Sequence, residues 1–166
     1  MTHRIYFTKS LIIFIVLSYH KNLVQAQNIN LKEYDIFIAD TLINKSEFLE
    51  KGKELDSGRL KYLTFKPITD GQKKIYYLGG QLYAQGEIKG KKENGLWVYW
   101  YENGKKAREG NFDQGNRIGT HTYWYQNGNL RGVGNFKNDK YNGKWTMYNE
   151  EGQKTEQFYK EGKLVK

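Results

Sequence analysis

Catalysis in this 166-residue chain would have to rest on very few side chains. Of three histidines, His3 and His20 lie in the N-terminal stretch and only His121 lies beyond it. A general base needs a nucleophile within hydrogen-bond reach. Residues 71–166 contain no serine, and Ser46 and Ser57 have no base near them in the sequence. A serine triad therefore has no second member. Glu150 and Glu151 sit side by side in an Asn-Glu-Glu-Gly turn, where adjacent carboxylates read as a solvated pair rather than an acid/base couple. The chain has no cysteine, so it offers no thiol nucleophile, no disulfide and no site for lipid attachment to a cysteine. With a single histidine beyond the N-terminal stretch there is no zinc ligand set. Residues 86–90 (GEIKG) lack the Lys-Ser/Thr ending and the following helix of a phosphate cradle, and no acidic calcium loop is present. The residue types imply no enzyme, no cofactor and no metal.

The elements that must position these side chains are written in glycine. The chain has 18 Gly against 1 Pro, with 14 Tyr and 4 Trp, a composition of strands and tight turns. Gly71, Gly95, Gly119 and Gly143 recur every 24 residues, and so do Gly80, Gly104, Gly128 and Gly152. A third series, Gly86, Gly110 and Gly134, lapses in the last unit, where QKTEQFYKEG is one residue short. Such a period marks a repeat architecture. Four units follow, at 71–94, 95–118, 119–142 and 143–166. Asn103-Gly104 and Asn127-Gly128 read as two-residue hairpin turns with both central residues at positive φ, and Gly79-Gly80 and Glu151-Gly152 fill the same place. The fold class expected is all-β, an elongated antiparallel sheet of about eight strands built from tandem hairpins.

A two-residue turn fixes the register. With Asn103 and Gly104 as the turn, Tyr101 faces Lys106, Tyr99 faces Arg108 and Trp97 faces Gly110. One face then carries Trp97, Tyr99 and Tyr101. On that face the third glycine series makes room for large rings, Gly110 beneath Trp97 and Gly134 beneath His121, as in aromatic rescue of glycine. His121 stands in the slot of Trp97 and Trp145, which makes it a structural ring. The other face carries a column of Tyr76, Trp100, Trp124 and Tyr148, one ring per two strands, with polar Lys74, Gln85, Glu109, Thr122 and Thr146 beside it. This column is the candidate binding face. The three glycine series, with Trp97 and Trp145, are repeat-structural positions.

The units GLWVYWYENGKKAREGNFDQGNRI and GTHTYWYQNGNLRGVGNFKNDKYN resemble the MORN repeat, roughly G-x-W-x-x-Y/W-Y-x-N-G followed by a second strand ending in G-x-F/Y. The resemblance covers residues 71–166 and is weakest in the first unit, where Lys73 replaces the early aromatic. It implies a hairpin-repeat sheet. Bacterial proteins with such arrays are similar to antitoxin or immunity-type proteins, which implies binding without catalysis.

The N-terminal third reads differently. Arg4 and Lys9 precede a short apolar run, residues 11–18 (LIIFIVLS), and Val24-Gln25-Ala26 offers a cleavage site near Ala26. Residues 1–26 are thus expected to be an export signal, placing the mature chain in the periplasm, at the cell surface or outside the cell. The run is shorter than the ~20 residues that span a bilayer. Residues 27–70 read as a capping segment, with a strand over 34–38, a short helix over 46–55 interrupted by Gly52, and a strand over 60–65. They carry 7 basic and 8 acidic groups, net −1, whereas residues 71–166 carry 17 and 10, net +7. The positive field lies on the repeats and favours anionic partners.

The sequence points first to another protein as partner, held by a scaffold or an antitoxin-like module. Envelope polysaccharide is the alternative, since Trp and Tyr beside Lys and Gln can stack on sugar rings and bond their hydroxyls. An anionic lipid surface would exploit the same charge. Nucleic acid is not expected, because basic and acidic residues interleave rather than form a stripe.

Overall fold

The computed structural model describes residues 31–60 and 62–165, so the expected export signal over residues 1–26 lies outside the described residues. The chain forms two compact units, one ending at Ile68 and one spanning Thr69–Lys166. The first contains β1 (Tyr34–Ile38), β2 (Thr41–Leu42), helix α1 (Lys45–Lys51), a short helix α2 (Ser57–Leu60) and β3 (Leu63–Pro67). Its strands pair antiparallel in the order β2-β1-β3. Asn44 starts α1 because its side-chain oxygen accepts from the backbone N–H of Ser46 at 3.0 Å, a standard helix cap. Ile36, Ile38, Ile43, Phe48 and Leu63 are buried, so this unit has an apolar core of its own. The strand expected from residue 60 begins instead at Leu63. Asp56 accepts from the Arg59 N–H at 2.9 Å and winds the preceding residues into α2.

The second unit is a nine-stranded antiparallel sheet in strict chain order. Its strands are β4 (Gly71–Tyr76), β5 (Leu82–Lys89), β6 (Lys92–Trp100), β7 (Lys106–Asp113), β8 (Asn116–Trp124), β9 (Leu130–Lys137), β10 (Lys140–Tyr148), β11 (Lys154–Lys160) and β12 (Lys163–Val165). The ninth strand arises because Glu161 and Gly162, at φ of 50° and 84°, turn the C-terminal run back on itself. Residues 154–165 therefore form two strands rather than a single edge strand.

The turns differ from expectation in an informative way. At Asn103-Gly104 only the glycine has positive φ, +79°. The Tyr101 N–H donates to the Lys105 carbonyl and the Gly104 N–H to the Tyr101 carbonyl, both at 2.9 Å. The loop is thus three residues, 102–104, closing on a left-handed glycine. Asn103 acts through its side chain, which accepts from the Lys105 N–H at 3.1 Å. The extra residue is absorbed by a bulge: Tyr99 faces Arg108 as expected, but Trp100 faces Lys106. The two-residue turns with both central φ positive lie at the opposite ends of the strands, at Gly90-Lys91, Gln114-Gly115 and Asn138-Asp139. They join one unit to the next.

Two glycine series then lock the units together. In β8, Ile118 pairs with Asn111 and His121 with Gly110, so β8 spends three steps where β7 spends one. The two extra residues begin at Gly119, whose φ of +64° would strain any other residue. The same bulge falls at Gly95 and Gly143. It leaves the following ring lying over the glycine of the preceding unit. A Cβ on Gly86 would come within 2.3 Å of the Trp97 ring, and one on Gly110 or Gly134 within 2.2 Å of His121 or Trp145. This corrects the expected assignment by one strand: Trp97 is in register with Gly110 but its ring covers Gly86, and His121 covers Gly110 rather than Gly134.

Gly134→Ala should therefore cost about 2–3 kcal/mol by overpacking, read as a lower urea midpoint. Gly104→Asn, whose site is open, should cost under about 1 kcal/mol because Asn tolerates the left-handed region. Equal midpoints for the two variants would contradict the interlock.

Candidate functional site

The two faces of the nine-stranded sheet are built differently. On the first, Trp97, Tyr99, Phe112, His121, Phe136 and Trp145 are buried. The rings contact edge to face, with Phe136 5.1 Å from Trp145 and 4.9 Å from His121, an arrangement suited to the ring quadrupoles. Each repeat ring also finds a polar partner at a constant step. Trp97 and Trp145 donate from Nε1 to the carbonyls of Glu87 and Asn135 at 3.0 Å, and His121 Nε2 lies 2.9 Å from the Asn111 carbonyl. A carbonyl only accepts, so His121 carries its proton on Nε2 and replaces the indole N–H. Its role is that of a repeat ring.

A second tie was missed in the sequence. The hydroxyls of Tyr77, Tyr101 and Tyr125 donate to the carbonyls of Trp100, Trp124 and Tyr148 at 2.7–2.8 Å. Each bond stitches one unit to the next. The signal was available: these tyrosines recur every 24 residues, and the fourth place is Asn149. Asn149 instead closes its own loop onto Gln153.

The second face holds the candidate column. Tyr76, Trp100, Trp124 and Tyr148 are all half-buried. Their register partners alternate Leu82, Lys106, Leu130 and Lys154. The Lys106 ammonium stands 5.4 Å over the Trp124 ring and pairs with Glu109 at 2.7 Å. The neighbouring row runs Lys74, Gln85, Val98, Glu109, Thr122, Val133, Thr146 and Glu156 across consecutive strands. The column is therefore a line of half-buried rings separated by aliphatic and ammonium groups, with polar side chains alongside. It can stack, and it can accept and donate hydrogen bonds.

The first face has one opening that sequence reasoning did not single out. A cavity of about 300 Å³ lies among Arg108, Arg117, Arg131, Tyr123, Tyr141 and Trp145. Arg117 is held there by Asp139 at 2.7 Å and stacks 4.1 Å from the Phe136 ring. Among the described residues no group of His, Cys, Asp and Glu could hold a metal ion.

Residues 93–114 and 117–138 match the family model described as MORN repeat variant, which places the match on the two best-formed units. Comparison with curated proteins gave no match. MORN repeats are generally protein- or membrane-interaction modules, and the family is typically non-enzymatic.

Burial holds the His121 imidazole below its usual value near 6.5, and the Arg117 and Arg108 guanidiniums push the same way. The fold thus keeps the ring neutral while the unfolded chain takes up a proton more readily. The contribution of this ring to stability is fully present above about pH 6.5 and is lost as the pH drops below it. Asp139, lowered chiefly by its bond from Arg117, titrates below that window. His121→Trp should flatten the loss of urea midpoint between pH 7.5 and 5, and an unchanged slope would contradict a buried neutral ring.

Proposed function

We propose that this chain, a MORN-repeat protein, is an exported, non-catalytic interaction module that binds another protein through the column Tyr76, Trp100, Trp124 and Tyr148. The observation that carries the reading is the asymmetry of the two faces. The first spends its large rings on interlock with the neighbouring unit. The second keeps four half-buried rings in line, with Leu and Lys between them. Rings at that exposure carry energy when a partner finishes their burial. The spacing of two strands, roughly 10 Å per ring, matches alternate strands of a sheet-like partner.

Export rests on the basic start, short apolar run and Val24-Gln25-Ala26 ending of residues 1–26. A module delivered to the envelope meets envelope partners, so a scaffold there is the favoured form of the reading. The antitoxin or immunity-type form requires the toxin to be outside the cytoplasm. The same ring column beside Lys and Gln is the feature that would suit polysaccharide or anionic lipid.

The purified chain should retain a protein from cell-envelope extract and not bind purified peptidoglycan or anionic vesicles. The doubly substituted Trp100→Ala/Trp124→Ala chain should lose at least about tenfold in affinity with its far-UV circular dichroism unchanged. Undiminished capture by that variant would remove the column from the account, and loss of strand signal would make those rings core. Retention on peptidoglycan or vesicles alone would replace the protein partner by the envelope itself.

A further inference from the structure

We infer that the cavity on the Trp97 face is a binding site for an organic carboxylate carried on an aromatic or branched apolar body. It lies on the face opposite the ring column and stands independently of the function proposed for that column.

The hollow exists because the third unit departs from the first at two adjacent positions. In each of the first three units a bulge near the start of the second strand gives that strand an extra residue. In the first unit that place is Tyr83-Ala84. Tyr83 fills the face, its ring 5.1 Å from Tyr77 and 5.7 Å from Tyr99, and Ala84 is wholly buried beside it. The second unit has Ala107-Arg108, and the third has Arg131-Gly132. Gly132 supplies no side chain where Ala84 and Arg108 supply theirs, and the ring of Tyr83 has no counterpart. The result is an opening of about 300 Å³ between β7 and β11, at the small end of ligand cavities.

The charge comes from Arg131 at this place in the third unit and from Arg108 at the same place in the second. Arg117 is already satisfied by Asp139. Arg108 and Arg131 make no ion pair among the described residues. Arg108 instead lies 3.8 Å over the Tyr99 ring, and Arg131 stands 5.8 Å from Tyr125. Stacking uses the faces of a guanidinium and leaves its in-plane N–H donors for an acceptor. Two such donors, with no carboxylate of their own, call for an anion. A planar carboxylate suits a planar fork. The walls call for more than a bare ion. Trp145 and Met147 form an apolar side, and Tyr123, Tyr141 and Tyr159 bring ring surface to it. Tyr141 is 40% exposed, so the cavity is open to a ligand arriving from solvent.

The test uses the Met147 methyl as a reporter, since the chain has only 2 methionines. The full chain, labelled at the methionine methyl, is titrated with 3-phenylpropionate, 3-phenylpropanamide, phenyl phosphate and a tripeptide ending in phenylalanine with a free C-terminus. The expected result is a saturable shift of Met147 with 3-phenylpropionate, with a Kd on the order of 1 mM for so small a ligand. The neutral amide should bind at least about tenfold more weakly. Arg131→Gln, at an exposed position that leaves the fold intact, should weaken the acid several-fold. Arg108→Gln should do the same while Arg108→Lys recovers part of the loss. Trp100→Ala/Trp124→Ala should leave the titration unchanged, which separates this site from the column. Tighter binding of the tripeptide than of the free acid would identify a chain terminus as the source, and the reverse a small acid. The site is refuted if acid and amide titrate alike, if phenyl phosphate alone shifts the methyl, or if both Arg→Gln variants keep full affinity.

Discussion

A large ring seated on a bare glycine of the neighbouring unit is the contact from which the rest of the sheet follows. A hairpin alone is marginal in water, so consecutive hairpins must be held to one another. Here the ring of Trp97, His121 or Trp145 takes the space of the missing Cβ on Gly86, Gly110 or Gly134. Its N–H closes on the carbonyl one residue further along that strand. The ring thus fixes both the lateral spacing and the register of consecutive units. The two-residue bulge beginning at Gly95, Gly119 or Gly143 aims each ring at that place. The tyrosine hydroxyls repeat the tie at the other end of the strands.

The ends of the array show the rule by breaking it. Lys73 stands in the first ring slot. At the other end Trp145 faces Gln157, not a glycine, so that place has a side chain where a further ring would need space. Gln157 in turn accepts from the Tyr159 hydroxyl at 2.5 Å. The tyrosine series likewise ends in Asn149, which bonds within its own loop. Interlocking positions are kept, and function is free to vary at the positions between them. That freedom is visible where Tyr83-Ala84, Ala107-Arg108 and Arg131-Gly132 occupy one structural place with three chemistries.

Much of the sheet was legible in the sequence because a 24-residue period of glycines allows few architectures. The register at Tyr99 and Trp97 was legible too, since alternation and the loop position set it. The loop type was not. Asn-Gly suits a two-residue turn, but the bulge between Tyr99 and Trp100 admits a third loop residue without disturbing the pairs beyond it. The genuine two-residue turns, such as Asn138-Asp139 and Gln114-Gly115, lack the Asn-Gly signal. Which glycine each ring covers was also hidden, because a residue in a sheet has a neighbour on either side and pairing alone does not say which way a ring leans. The column of Tyr76, Trp100, Trp124 and Tyr148 could be placed on one face by counting. The cavity could not, because it depends on Arg131 and Gly132 of the third unit standing where Tyr83 and Ala84 fill the face in the first.

Ring-current shifts test the interlock most directly. In the assigned proton spectrum of the chain, the account predicts upfield-shifted α-protons for Gly86, Gly110 and Gly134, with nuclear Overhauser contacts from the Trp97 indole to Gly86 and from the Trp145 indole to Gly134. Ordinary glycine shifts at those three residues, or contacts from Trp97 to Gly110 in place of Gly86, would contradict it.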